Sequence, residues 1–526
     1  MEEIKMVNLF YPNEEAKNSK LKNTEYYKQL GFDQGLIFGT MRLFGSLGDS
    51  NKIIDYVTTD VETIKYRQQV FDDFKKNTAF RASIEKIIPH LQELLDMRKQ
   101  NKESGDTTAH LYSICDMDLY FTTLTELDSI FKEATGLQSQ ALIDFGKFIA
   151  EKVSAPEFAD MQKRVAAAMD EVKNIKSITI GINLDAQLYP KEAGIVSINK
   201  DVYKSGNVVD KVLRAEIKND EYTCMSPLEI VTRGMAPDEV NAVYDALNNA
   251  LDVMYKASVK KFQPMVAEFL AENLDFLSDI VEQLTFYTAG CMLFDKLKVS
   301  YRLGVTKPVI HSMKEHVLHL SGVYNPIYAI RETKRDLVVN NVIFDRVGDI
   351  YVLTGGTKTG KTLFTQSVGI AQIMFQLGMY VAADKAEMSP VDNVFALCPM
   401  DTGDKSRKLV ENDCAMISEM LPQITSDSLV LFDGVLAAAS NVEATYILEN
   451  VLENIAKKNG RGILSTAFAD IAESADEINR KANGSKIDTL VARVENERAL
   501  YIMDRERPEG GIFAKEIVQK YNLAAE

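Results

Sequence analysis

Cysteine is scarce and scattered. The 526 residues carry five, Cys115, Cys224, Cys291, Cys398 and Cys414, an odd number with no Cys-x-x-Cys pair. Such usage suggests neither a disulfide framework nor a cysteine-based zinc site, and it fits a reducing cytoplasmic setting. No uncharged apolar run reaches the roughly 20 residues that a membrane helix needs. The start, Met1-Glu2-Glu3-Ile4, is acidic and lacks the basic and apolar stretches of a leader, so no membrane partner is expected. Positive charge is also short: the net charge is −16, and contact with nucleic-acid phosphates would need local lysine and arginine. The best local groups, Arg331 with Lys334 and Arg335, Lys256 with Lys260 and Lys261, and Lys405 with Arg407 and Lys408, are modest and read as solvated faces. Repeats and low-complexity segments are absent. With 46% hydrophobic and 26% charged residues, the composition is that of a folded soluble chain long enough for several domains.

One stretch organises the rest. Gly355-Gly356-Thr357-Lys358-Thr359-Gly360-Lys361-Thr362 satisfies the phosphate-loop pattern G-x-x-x-x-G-K-[ST] at every required position. The apolar run 350–353 before it reads as a strand and 363–379 after it as a helix, so backbone N–H groups at the helix start would face an anion. Lys361 would reach the β/γ-phosphates of ATP or ADP, and the Thr362 hydroxyl would be a Mg²⁺ ligand. A second acid is expected at the end of a neighbouring apolar strand, and Leu429-Val430-Leu431-Phe432-Asp433 supplies it. The next residue, Gly434, has no side chain with which to orient an attacking water.

Around this centre the chain changes character. Residues 1–34 show little periodicity and read as an extension with one short helix. From about 35 to 174 apolar residues recur at helical spacing, interrupted by a polar break at 100–106. Alternation of Ile178, Ile180, Ile182 and Leu184, then Ile195, Val196 and Ile198, predicts a hairpin turning through 189–194. Helix returns from Pro237, with Val240, Val243, Leu247, Leu251 and Met254 in register and Pro264 kinking or dividing it. That stripe serves a packed bundle as well as a moving arm. His311, His316 and His319 lie close together, the last two one helical turn apart, but with no matching carboxylate pattern they read as ordinary histidines. From about 322, strands at 338–344, 350–354, 380–383, 394–398, 428–432, 462–466, 489–494 and 499–503 alternate with helices at 362–377 and 441–458. The expected fold is α+β multidomain: a helical bundle, then an α/β sheet covered on both faces with a nucleotide at the carboxyl ends of its strands.

With these motifs located, the C-terminal third resembles the MutS family of DNA mismatch-repair ATPases. Tyr324-Asn325-Pro326 stands where that family enters its ATPase domain, and Leu337-Val338-Val339-Asn340-Asn341-Val342 resembles its adenine-side segment. Tyr380 to Ala383 and Ser389-Pro390-Val391-Asp392-Asn393-Val394-Phe395 are similar to the stretch after the first helix. Residues 406–411 look like the loop reaching a neighbouring subunit's nucleotide, and Gly510-Gly511-Ile512 with Ala514 resembles the last helix. The resemblance implies an ATPase domain at 322–526, a helical core and lever at 35–321 with a clamp-like insertion near 178–216, and an N-terminal extension at 1–34. A mismatch-reading domain has no room before the core, and Phe131-Lys132-Glu133 sits within a helical stretch and not where a mismatch-reading Phe-x-Glu would stand.

What the resemblance implies about chemistry is uneven. Binding residues are carried over: Gly355 to Thr362 with Asn340 for nucleotide, and Thr362 with Asp433 for the metal. Turnover residues are not. Where the family has a water-orienting Glu stands Gly434, the following signature becomes Val435-Leu436-Ala437-Ala438-Ala439 and retains only Ser440, the switch His falls at Ala467, and Leu337 replaces the aromatic that would stack on adenine. A cytoplasmic, nucleotide-gated clamp on branched or other non-mismatch DNA is expected, with weak hydrolysis and a homodimer formed through the ATPase domain. Two rivals stay open: an active ATPase that uses another carboxylate, such as Glu411 or Glu443, and a nucleotide-stabilised scaffold that ignores DNA.

Overall fold

The computed structural model describes residues 7–19, 25–31, 53, 55–103, 109–173, 177–188, 190–199, 201–202, 204–205, 223–224, 264–266, 269, 276–331, 337–345, 347–398, 407–495 and 498–508. The stripe from Val240 to Met254, Ser406, Gly510 to Ala514 and most of the basic groups named above lie outside them. The longer helices are α1 (Val61–Lys76), α2 (Thr78–Glu103), α3 (Ala109–Glu133), α4 (Gln140–Ser154), α5 (Pro156–Lys173), α6 (Phe276–Asp295), α7 (Lys361–Gln376), α8 (Arg407–Met420) and α9 (Asn441–Lys457). The strands are β1 (Ser177–Leu184), β2 (Pro190–Asn199), β3 (Lys204–Ser205), β4 (Thr223–Cys224), β5 (Val309–Ile310), β6 (Leu318–Val323), β7 (Asn340–Phe344), β8 (Ile350–Thr354), β9 (Lys385–Met388), β10 (Val394–Leu397), β11 (Leu429–Asp433), β12 (Arg461–Ser465), β13 (Ile487–Glu495) and β14 (Arg498–Asp504). The chain thus joins a mainly helical part to a C-terminal α/β part, an α+β multidomain architecture. By contacts it divides into two units, Met1–Glu85 with Ala134–Phe145 and Ile280–Glu526, and Lys86–Glu133 with Gly146–Asp279. These cuts differ from those at 35 and 322 drawn from the sequence.

In the first unit a six-stranded sheet runs in the order β10-β11-β12-β8-β13-β14, parallel except for the terminal β13–β14 pair. All five residues of β8, β11 and β12 are buried, as continuous apolar runs in a sheet with both faces covered should be. α7 covers one face so closely that a Cβ on Gly369 would lie 2.6 Å from Leu431 Cδ1. On the other face Val451, Leu452 and Ile455 of α9 line a small apolar gap with Val430 and Phe432. α9 begins at a capping box in which Ser440 Oγ and Glu443 exchange hydrogen bonds.

A second sheet, β5-β9-β6-β7, corrects two expectations. Residues 380–383 are not a strand. Val381 makes an isolated bridge to Thr306, and the strand comes later, at β9. The stretch is fully buried, and burial without regular pairing mimics a core strand in sequence. His316 and His319 do not share a helix either: His316 has φ +57° and His319 sits in β6. His316 Nε2 contacts Asp427 Oδ1 at 2.6 Å, and His311 lies beside Glu315 and Glu387.

Residues 7–19 and 25–31 are packed into this unit, with two 3-10 turns, Glu15–Asn18 and Glu25–Leu30. Leu9, Phe10, Tyr27 and Leu30 are almost wholly buried. Leu9 N donates to Gln283 Oε1 at 2.6 Å, Tyr287 Oη donates to Leu9 O at 2.7 Å, and the buried Arg67 guanidinium donates from Nε to Phe10 O at 2.9 Å. Phe71 of α1 packs against Phe286, Tyr287 and Phe294 of α6. The absence of a side chain at Gly290 admits that ring, since a Cβ there would lie 2.7 Å from Phe71 Cε1.

The second unit, described by itself, packs α3 against α5 through Tyr120, Phe121 and Phe158, joined by Phe269. Phe131 is part of this packing, 2.8 Å from where a Cβ on Gly146 would stand. β1 and β2 form the expected antiparallel hairpin, but its turn comes earlier than 189–194, because Pro190 already pairs with Leu184. Asp185 takes the turn, accepting Leu188 N through its carbonyl and Gln187 N through its side chain. Among the described residues no helix is long and apolar enough to cross a membrane.

Candidate nucleotide site

β8 delivers the chain into residues 355–360, and α7 leaves them with Gly360 as its N-cap. The loop has the backbone that a phosphate cradle requires. Gly355 has φ +140° and Gly360 φ +92°, and Lys358 between them is also left-handed at +64°. A side chain at Gly355 would meet Ala492 Cβ at 2.8 Å, so β13 holds the loop against the sheet. Lys361 folds over the loop and donates to Gly355 O at 2.9 Å and Gly356 O at 2.7 Å, while Thr359 Oγ1 donates to Gly356 O. Burial lowers the Lys361 pKa and the nearby Asp433 carboxylate opposes that shift. A half-buried ammonium bonded only to carbonyl dipoles is a ready partner for phosphate oxygens. Thr357, Lys358 and Thr362 are exposed.

Asp433 ends β11 directly beside Ser465, its parallel partner on β12, and is buried. Two hydroxyls at this edge of the sheet, Thr354 Oγ1 and Ser465 Oγ, are buried without a hydrogen-bond partner. Buried polar groups left open in this way suit a hydrated ion. The donor set, a hydroxyl at Thr362 and a carboxylate at Asp433, is of the oxygen type that Mg²⁺ takes. Cys398 is no candidate nucleophile: burial, with Asp433 nearby, pushes its thiol up to about 12.

The turnover side of the site is different. Gly434 turns the chain at φ +64°, its N–H donates to Ser465 O at 2.9 Å, and a Cβ there would meet nothing within 4 Å. Ala467 is exposed just beyond β12. Glu443 is engaged in the capping box of α9, and Glu411 is exposed on α8. Asp413, not singled out from the sequence, is buried, and its Oδ2 accepts Leu436 N at 2.8 Å, pinning the turn that follows Gly434. Burial raises its pKa. The signal was a carboxylate on the same helical face as Ile417 and Met420, where an apolar residue is expected.

Beside the loop opens a cavity of about 130 Å³. It is lined by Leu337, Val338, Asn340, Gly360, Leu363 and Tyr501, among others. Asn340 has little left to offer a ligand, because Nδ2 donates to Tyr501 O at 3.0 Å and Oδ1 accepts Met503 N at 2.7 Å. Tyr501 itself could not have been found by reading the sequence, since its position depends on an irregularity in β14.

Residues 351–506 match the family profile of MutS domain V, and residues 59–300 match that of the MutS2 N-terminal domain. This is a MutS-related protein. The DNA mismatch repair protein MutS of Prochlorococcus marinus (strain MIT 9301) is 19% identical over 466 residues, 84% of this chain and 50% of that protein. Endonuclease MutS2 of Clostridioides difficile (strain 630) is 26% identical over 235 residues, 44% of this chain and 28% of its own length. The DNA mismatch repair protein MutS of Thermotoga maritima is 28% identical over 219 residues, covering 41% and 26%. The MutS-related chain therefore spans about half or less of the curated relatives it matches. The domain V match takes in Lys361, Asp433, Gly434 and Ala467, while Leu337 and Asn340 of the cavity precede it.

Proposed function

We propose that this MutS-related chain binds MgATP and MgADP at residues 355–362 and acts in the cytoplasm as a nucleotide-gated DNA clamp with weak hydrolysis. In this reading 322–526 is the ATPase domain, 35–321 the core and lever, and the DNA is branched or otherwise free of mismatches. The observation that supports it is a contrast at one end of the sheet: Lys361 folds over the loop with the Asp433 carboxylate nearby, while Gly434 and Ala467 carry no polar side chain. Mg²⁺, held by Thr362 and Asp433, would offset phosphate charge. Lys361 would exchange its loop carbonyls for β/γ-phosphate oxygens, and the α7 N-terminus would add backbone donors.

DNA binding is supported by the relatives' names, DNA mismatch repair protein and endonuclease, and pairing of two chains through the ATPase domain by the family resemblance alone. The scaffold reading is favoured by the net charge of −16. The active-ATPase reading loses Glu443, whose carboxylate is engaged at its own helix start. Gel-shift titration on duplex, four-way and single-stranded DNA, with and without MgATP at fixed salt, tests the proposal. Tighter binding to branched DNA that responds to MgATP is expected; no binding to any DNA at low salt hands the case to the scaffold.

A further inference from the structure

A buried side-chain oxygen without a partner has given up water and gained nothing, so each one calls for an explanation. Two of them belong to the first turns of α7 and the strand beneath. Thr365 Oγ1 and Ser465 Oγ have no hydrogen-bond partner among the described residues, and both residues are 0% exposed. Strand register brings Ser465 to Asp433. At the end of β12 it pairs in parallel with Asp433 on one side and with Leu353 of β8 on the other, so it stands between the acid and the strand that feeds the loop. Residues paired in register point to one face of a sheet, and along β11 that face is the one α7 covers: Leu431, two residues before Asp433, is what a Cβ on Gly369 would meet at 2.6 Å.

The helix brings in the second hydroxyl. α7 runs opposite to the strands it covers, starting at the loop beyond β8 and ending where Gln376 Nε2 donates to Val391 O ahead of β10. Thr365 precedes Gly369 by one turn, about 6 Å of helix, and Asp433 follows Leu431 by about 6.6 Å of strand. Thr365 therefore stands over the end of β11 as Gly369 stands over Leu431.

We propose that Ser465 and Thr365 hold water in the outer shell of the divalent cation, so that this end of the sheet takes a hydrated ion and not a bare one. The inference rests on the nucleotide reading above and adds two positioning residues to Thr362 and Asp433. A hydroxyl donates and accepts, so it can take a proton from a metal-bound water and still donate to a carboxylate. Mg²⁺ gives up its waters reluctantly and is usually held by one or two carboxylates plus water, whereas Ca²⁺ takes more direct oxygen ligands. Buried hydroxyls beside a single acid therefore favour Mg²⁺.

The test is titration calorimetry of ADP in Mg²⁺ and in EDTA, with urea unfolding of the same proteins. The ratio of the two affinities isolates the metal. Ser465→Ala and Thr365→Val, which delete a hydroxyl and little else, should each lower that ratio roughly fivefold, as loss of one hydrogen bond does, and leave ADP in EDTA within about twofold of the wild type. Thr365→Ser keeps the hydroxyl and should keep the ratio. Replacing Mg²⁺ by Ca²⁺ should weaken ADP more in the wild type than in either hydroxyl-free variant. Without ligand, both of those variants should unfold at the same urea as the wild type or higher, because an unpartnered buried group has been removed. Unchanged ratios in both, equal loss with Mg²⁺ and in EDTA, or a fall to lower urea in both overturns the inference and leaves the loop reading intact. A wild type whose ADP affinity ignores Mg²⁺ removes the metal from Asp433 and this inference with it; one that binds no ADP in either buffer overturns the nucleotide reading as well.

Discussion

The loop after β8 and the end of β11 that carries Asp433 and Gly434 lie at the carboxyl ends of one sheet with β12 between them, yet they are built differently. At β8 the loop is held by two left-handed glycines, a lysine bonded to two carbonyls and a wall from β13. At β11 and β12, one residue beyond the buried Asp433, Gly434 faces open space and Ala467 faces solvent. Binding of a charged ligand needs donors and fixed charge, whereas turnover needs in addition a group that orients water when charge develops. On the proposed reading the two are separable because different strands supply them.

The comparison breaks most readily at Lys361. Lys361→Ala should weaken MgADP by roughly 100-fold, since a half-buried ammonium meeting phosphate is among the stronger charge-assisted contacts; calorimetry showing no change would remove the loop from the site. The turnover side is sharpened by restoring side chains. Gly434→Glu with Ala467→His should raise steady-state phosphate release at least about tenfold over the wild type, given what a positioned base contributes. The space around Gly434 admits a glutamate, but its φ of +64° charges about 1–2 kcal/mol for any side chain. Brisk wild-type release that Lys361→Ala abolishes would mean that another residue already orients the water.

Asp413 tests whether the turn beyond Gly434 is held in place by its carboxylate. Asp413→Ala leaves Leu436 N–H without its acceptor and should cost about 1–3 kcal/mol in urea unfolding, with Asp413→Asn recovering part of it. A neutral result for both would show that the turn after Gly434 stands by itself. The smallest effect is in pH. Lys361 must carry its proton to hold phosphate, and burial lowers its pKa in the free protein, so MgADP affinity should weaken as pH rises, beginning below the ordinary lysine range. The weakening should be absent in Lys361→Arg, whose charge persists. A flat profile for the wild type would show that the lysine is not the charge that matters.

Legibility followed how local each feature is. The loop is eight contiguous residues, and β8, β11 and β12 are short apolar runs whose ends the structure places within a residue of the sequence reading. Residues 380–383 misled because Ala382 and Ala383 are buried without a ladder, and His316 and His319 because spacing of three suits a turn-to-strand passage as well as a helix. Residues 7–19 and 25–31 carried little periodicity because burial there is imposed by partners far along the chain, Gln283 and Tyr287 among them.

Alone, the sequence determined the loop pattern after an apolar run, Asp433 at the end of another with Gly434 next to it, and the change from helical to α/β patterning, because each is written in adjacent residues or in a local period. Only the tertiary structure decided that Asn340 is spent on β14, that Asp413 holds the turn beyond Gly434, and that Tyr501 stands over the loop. Each of these depends on which backbone groups are left unpaired once distant strands are laid side by side, and that accounting does not exist until the chain is folded.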